Sequence, residues 1–372
     1  MLSASSAFIR ITLLCSIATN FLRLSSCLRL SSGGSALGAG AICSRVPGLT
    51  DRQREMCRDA PDAMVAVGDG IRLGTQECQY QFRGHRWNCT AIGGQSAFGH
   101  VVVVGSREAA FTYAISSAGV AYAVTAACSR GNISTCGCDP RHKERKELAL
   151  QGPGPSGWKW GGCSVDMGFG MRFARKFLDA REIERDARSL MNLHNNKAGR
   201  KAVKMSLQTE CKCHGVSGSC TMKTCWKTLP PFRLIGDHLM HRYWRARGVS
   251  AVPVPSASKT STREVRPLQL TLRRARSVQK TPKRSELVFL QSSPNYCERN
   301  LSMGSLGTVG RFCNRTSMGD ASKSDGCDLL CCGRGYNTHQ ITRSWQCSCK
   351  FHWCCQVFCE ICTEKIELYT CK

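Results

Sequence analysis

The placement of 26 cysteines restricts this chain of 372 residues more than any other feature. Twelve fall between Cys43 and Cys225, none between Cys225 and Cys297, and twelve between Cys297 and Cys371. Cytosolic thiols are kept reduced, so cysteine at this density implies an oxidising compartment and a disulfide framework. The apolar run ITLLCSIAT (11–19) has signal-peptide length and precedes the small residues SSGGSALGAGA (31–41), which predicts a leader over 1–36. Removing it with Cys15 and Cys27 leaves 24 cysteines, an even number. The sequons at Asn88, Asn132, Asn300 and Asn314 would accept glycans in the secretory pathway. CxC, CC and CxxC spacings also resemble zinc sites, but export argues for disulfides and no metal.

Two stapled regions follow, an N-terminal domain over 37–235 and a C-terminal one over 286–372. Hydrophobic residues make up 42 % of the chain, enough for packed cores and too many for a disordered basic tail. The segment 109–128 carries no charge and has the length of a membrane span, but its Ala, Ser, Thr and Gly content predicts a buried core helix. From 169 to 191, apolar residues from Phe169 to Leu190 recur every three or four positions, which predicts one amphipathic helix with a core-facing stripe. Residues 236–285 have no cysteine and include the aperiodic VPVPSASKTST and the basic RRARSVQKTPKR, the composition of a linker. The last 76 residues, with short alternating runs, predict short β-hairpins tied by disulfides.

Two stretches invite chemistry. In CKCHGVSGSCTMKTC (211–225), Cys211 and Cys213 would reach Cys225 and Cys220 across a hairpin, setting Ser217 at a rigid tip between glycines. A Gly/Ser turn serves a hairpin equally well without any further role. A serine-hydrolase reading around His214 fails the G-x-S-x-G elbow, because Ser219 occupies the fifth position. In KFHWCCQVFC (350–359), Phe351, Trp353, Val357 and Phe358 surround two adjacent cysteines, either as core or as a partner-binding tip. The formal charge of +26 would suit nucleic acid inside a cell. Outside, it predicts salt-sensitive attraction to sulfated glycans and no nucleic-acid partner.

The motifs CKCHGVSGSC (211–220), QFRGHRWNC (81–89), REAAFTYAI (107–115), SPNYC (293–297), CCGRGYNTH (331–339) and CKFHWCC (349–355) together resemble the Wnt family of secreted signalling proteins, from Cys43 to Cys371. WKWGGCS, LMNLHNN and SREAAFTYAI look closest to the subgroup numbered seven, whereas the sequon at Asn300 departs from it. The resemblance implies an α+β fold: an N-terminal helical domain with a lipidated hairpin, the thumb, and a C-terminal cysteine-rich β domain with a finger. It implies no catalytic activity and no cofactor beyond a covalent palmitoleoyl group on Ser217, added by Porcupine, and N-glycans. The acylated thumb would grip the Frizzled cysteine-rich domain, and Phe351, Trp353, Cys354, Cys355 and Val357 would form the second grip. An LDL-receptor-related co-receptor, heparan sulfate proteoglycans and the export carrier Wntless complete the implied partners, at the cell surface and in the extracellular matrix. A secreted serine hydrolase and a generic heparin-binding disulfide protein are the alternatives.

The resemblance also implies a pairing of cysteines. In the N-terminal domain Cys43 pairs with Cys57, Cys78 with Cys89, Cys128 with Cys136, Cys138 with Cys163, Cys211 with Cys225 and Cys213 with Cys220. In the C-terminal domain Cys297 pairs with Cys332, Cys313 with Cys327, Cys331 with Cys371, Cys347 with Cys362, Cys349 with Cys359 and Cys354 with Cys355.

Overall fold

The computed structural model describes residues 43, 48–89, 104–139, 158–160, 162–182, 186–221, 223–254, 267–273, 280–318, 324–353 and 356–372. The expected leader, much of the VPVPSASKTST stretch and the Cys354–Cys355 pair lie outside them. Helix α1 (Asp51–Asp59) begins at a capping box in which Thr50 and Gln53 satisfy each other's backbone N–H groups. The same Gln53 is fully buried and donates to the Phe177 carbonyl at 2.8 Å, so one residue both starts the helix and docks it. Proline opens α2 (Pro61–Gln81), where its missing N–H is harmless.

The uncharged segment forms α3 (Arg107–Ser129), capped by Ser106 and packed against helices on several sides. It has the length and apolarity to cross a membrane, but most of it is buried inside the protein. Its small residues are the reason, because they let backbones approach. A Cβ on Gly119 would stand 2.2 Å from the Gly70 carbonyl oxygen of α2, so neither glycine tolerates a side chain without separating the helices.

The helix expected over 169–191 is instead two. Helix α4 (Met167–Leu178) ends in a 3₁₀ turn at Asp179–Arg181, and α5 (Ala187–Met205) restarts at Asp186, whose carboxylate caps Ser189. Asp179 accepts a two-pronged bond from the buried Arg200 guanidinium, with both N···O distances 2.9 Å. The chain leaves the α-helical path at this turn and comes back for Asp179 to meet Arg200 of the next helix, a break that the apolar period alone does not register. Phe173 and Phe177 point into the core as expected.

The interval read as a linker is largely ordered. Its first part belongs to α6 (Phe232–Trp244), with Ile235 and Leu239 fully buried. Strands β1 (Trp158–Trp160), β2 (Gln208–Cys213) and β3 (Lys223–Thr228) form one sheet in the order β1-β3-β2. Strands β4 (Arg247–Pro253), β5 (Leu268–Leu272) and β6 (Val288–Phe289) form another in the order β5-β4-β6. Val249, Leu270, Leu287 and Val288 join the main core, which therefore extends past residue 286 to Tyr296. Few apolar residues, set among prolines and basic residues, suffice because each lands on an existing helical surface.

In the C-terminal region β7 (Arg299–Asn300) pairs with β8 (Ser305–Leu306), and β9 (Phe312–Cys313) precedes the short α7 (Cys327–Leu330). The expected short hairpins give way to one long one, β10 (Tyr336–His352) with β11 (Gln356–Cys371). Among the described residues its local buried core is Cys327, Leu330, Cys331 and Cys371, with Cys313, Tyr336 and Tyr369 packed against it, so covalent links replace burial. Among the described residues eleven disulfides close, and they are the eleven pairs named above that fall on those residues. Helices, small strands and a disulfide-rich C-terminal region make this an α+β fold.

Candidate functional site

The thumb is the β2–β3 hairpin. Cys211 and Cys225 face each other in its register and are bridged, and Cys213 and Cys220 close a smaller ring beyond them. Within that ring Gly215 N–H donates to the Ser219 carbonyl at 2.8 Å, and Gly218 N–H to the Gly215 carbonyl at 3.0 Å. A Cβ on Gly215 would fall 1.9 Å from the Ser219 hydroxyl, so glycine is what lets the ring close. Ser217 sits at the apex with φ 55°, a left-handed conformation that a serine rarely adopts. It is exposed, and its neighbour Val216 is 90 % exposed, so the hairpin presents its tip to the outside.

The hydrolase geometry is not assembled here. The His214 ring nitrogen Nε2 lies 3.0 Å from the Thr224 hydroxyl, and the Ser219 hydroxyl 3.2 Å from that of Thr221. A nucleophilic serine needs a base within hydrogen-bond reach, and this histidine is directed across the hairpin to a threonine.

At the far end of the C-terminal hairpin, Phe351 stands opposite Val357 and His352 opposite Gln356. A bulge between Cys347 and Lys350, with Ser348 at φ 48°, turns the strand just before the tip. Trp353 is 95 % exposed, and Phe351, Val357 and Phe358 are exposed with it. Of the two readings of this aromatic cluster, core or surface, the structure gives surface, because a two-stranded ribbon has no second layer in which to bury them. Cys354 and Cys355 lie outside the described residues. Of the sequons, Asn132, Asn300 and Asn314 are exposed and Asn88 is half-buried. Asn314 accepts from the hydroxyl of Thr316, the third residue of its own sequon, at 2.7 Å.

Residue patterns did not disclose the polar knot that joins the helical core to the C-terminal region. Glu108, only 4 % exposed, accepts from the hydroxyls of Tyr243 at 2.8 Å, Ser293 at 2.8 Å and Tyr296 at 3.2 Å. Burial, then the Glu108 charge, pushes both phenols above their ordinary range, so they remain hydrogen-bond donors. Nearby, burial pushes His85 down to about 4. Arg311 extends the junction by donating to the Arg86 and Arg83 carbonyls. The sequence signal was a glutamate, next to Arg107, at the start of a helix that carries no charge beyond those two residues.

A model of the wnt family matches residues 45–372. Protein Wnt-2 of Drosophila melanogaster is 59 % identical over 334 residues, covering 89 % of this chain and 92 % of that protein. Protein Wnt-2b of Homo sapiens is 49 % identical over 343 residues, covering 91 % and 81 % respectively. A chain of the solved structure of human WLS in complex with WNT8A superimposes with a TM-score of 0.55 at 35 % identity, covering 83 % of this chain and 93 % of that one. These relatives correct the expected kinship with subgroup seven. One of the three stretches that prompted it, LMNLHNN, serves packing here: Asn195 donates to the Met191 and Val288 carbonyls and accepts from Val288 N–H. With the family match spanning both stapled regions, the chain belongs to the Wnt family, whose members are signalling ligands and not enzymes.

Proposed function

We propose that this protein is a secreted Wnt ligand that carries a palmitoleoyl chain on Ser217, inserts that chain into a groove of the Frizzled cysteine-rich domain, and makes a second contact through the finger tip at Phe351, Trp353, Cys354, Cys355 and Val357. The observation that carries this reading is the exposed Ser217, held in a left-handed turn at the end of a doubly bridged hairpin. Rigidity of that kind is superfluous for a mere turn and useful for presenting a hydroxyl to an acyltransferase, Porcupine. Burying a sixteen-carbon chain at roughly 0.8 kcal/mol per CH₂ offers on the order of 10 kcal/mol before ordering costs, so the chain can dominate affinity. The same chain demands a carrier during export. Wntless fits that role, and the similarity to a chain of the WLS–WNT8A complex supports it.

Recruitment of an LDL-receptor-related co-receptor would bring two receptors together. The charge of +26 favours retention on heparan sulfate proteoglycans in the extracellular matrix. The test is the mass of the peptide containing Ser217 from protein secreted by cells with intact acylation, alongside Ser217→Ala in a Frizzled reporter assay. An unsaturated C16 adduct and a silent variant are expected. A bare serine on active protein, or full signalling by the variant, overturns the mechanism.

A further inference from the structure

Strand β9 runs in extended backbone that continues through Asn314, at φ −109° and ψ 114°. Side chains alternate along such a segment, so Phe312 and Asn314 share one face and Cys313 takes the other. Cys313 is bridged to Cys327 and packs against the buried cluster at the base of the long hairpin, which directs Cys313 inward and its two neighbours outward. Phe312 is 67 % exposed, and Asn314 is exposed beside it. Thr370, paired with Phe312 across the ladder, has its hydroxyl 2.8 Å from the His339 ring, and the Arg315 guanidinium lies over Tyr369, so both are engaged elsewhere.

Asn314 opens the sequon NRT, and of the four sequons it alone has an aromatic residue two positions before the asparagine. Arg86, Arg130 and Glu298 hold that place before Asn88, Asn132 and Asn300. The Asn314 backbone is fixed on both sides: its N–H donates to the Asp325 carbonyl at 2.8 Å, and its carbonyl accepts from Cys327 N–H at 3.2 Å. The side chain is oriented as well, because Oδ1 accepts from the Thr316 N–H at 3.0 Å and hydroxyl at 2.7 Å. Nδ2, the atom a glycan joins, makes a 3.4 Å bond to the Asp325 carboxylate that occupies only one of its two hydrogens. The first sugar of an N-glycan is a β-linked N-acetylglucosamine, whose ring substituents are all equatorial. One side of that ring is therefore a flat array of axial C–H bonds, apolar and slightly electropositive, the complement of an aromatic π-face. Two strand residues set the bases of the Phe312 and Asn314 side chains about 7 Å apart, within reach of groups that lean together.

We propose that Phe312 is a stacking platform for the innermost N-acetylglucosamine on Asn314, so that the chain's own glycan covers this ring. The stacked sugar braces β9 where its short pairing with β11 at Tyr369 and Thr370 holds the base of the long hairpin. Both partners belong to one chain and the asparagine is already held in place, so little ordering cost opposes the contact. Stacking requires the passage through the secretory pathway proposed above, and it is independent of Ser217 acylation.

The test uses the full-length secreted protein, made with intact N-glycosylation, and a peptide N-glycosidase acting on the folded form, with release at Asn314 and at Asn132 followed by peptide mass. The enzyme needs access to the innermost sugar, so a stacked sugar is released slowly. Phe312→Ala and Phe312→Leu should speed release at Asn314 by at least about threefold and leave Asn132 unchanged, whereas Phe312→Trp should keep the slow release. The ring is exposed, so these variants should be secreted and folded like the parent. Equal rates in all four proteins overturn the stacking, as does slow release from Phe312→Leu, which would assign the protection to bulk rather than to a π-face. Acceleration at Asn132 as well would trace the effect to general loosening and likewise overturns it. Protein secreted with a bare Asn314 also overturns it, and separates failure of the glycan reading from failure of stacking at an occupied site.

Discussion

Arg200 and Asp179 show how single residues set local architecture. The Arg200 guanidinium is almost wholly buried, bonds both Asp179 oxygens and also donates to the Ser117 hydroxyl at 3.1 Å. Arg200→Met should therefore destabilise the helical core by about 3 kcal/mol, since it strands a carboxylate where α4 ends; a denaturant midpoint equal to that of the parent would refute this. Histidines give a second expectation. Burial depresses His85 from its ordinary 6.5 to about 4, and burial likewise lowers His194 and His238. Each takes up a proton more readily when unfolded, so their contribution is complete above pH 6.5 and is lost as pH falls below it, for His85 down to about pH 4. Denaturant titrations at pH 7 and pH 5 should show the loss, and His85→Phe should flatten it; an unchanged slope would remove His85 from the account.

At the scale of elements, the two hairpins are governed by cross-links rather than by cores. Cys213→Ser with Cys220→Ser opens the inner ring around Ser217 while leaving Cys211–Cys225 in place. The helical core should stay intact and the acylated fraction at Ser217 should fall, read by peptide mass; full acylation would make the ring dispensable. On the finger, Trp353 is almost fully solvent-exposed, so Trp353→Ala should leave stability unchanged. Under the proposed function, in which the finger tip is a second receptor contact, its loss should weaken Frizzled binding by at least about tenfold in a direct binding assay.

Across the whole molecule, the Glu108 knot ties the third helix to residues 293–296 of the second stapled region, just before its first cysteine, Cys297. Glu108→Gln preserves shape but points an amide N–H₂ at hydroxyl donors. Stability should drop by about 2 kcal/mol and secreted yield several-fold, measured by denaturation and by immunoblot of the medium. Tyr243→Phe removes one donor and should have a smaller effect. Such a knot also explains why the two cysteine blocks do not mark two independent cores, since Leu287, Val288 and Tyr296 pack with the helices.

Cysteine placement and motif spelling determined the compartment, the two stapled regions, the family and the hairpin that carries Ser217, because these depend on covalent chemistry and on residues adjacent in the chain. The buried nature of α3 was legible too, since Ala and Gly are too small and too weakly apolar to favour lipid over close-packed helices. Tertiary structure alone decided where the 169–191 period breaks, that 236–253 is helix and strand rather than linker, and that the finger is one long ribbon. Each of these turns on partners distant in sequence: Arg200 for Asp179, the helical surface for Val249 and Leu270, and the facing strand for β10. The exposure of Trp353 was undecidable from composition, because an aromatic residue is core or contact only according to whether a second layer exists to cover it.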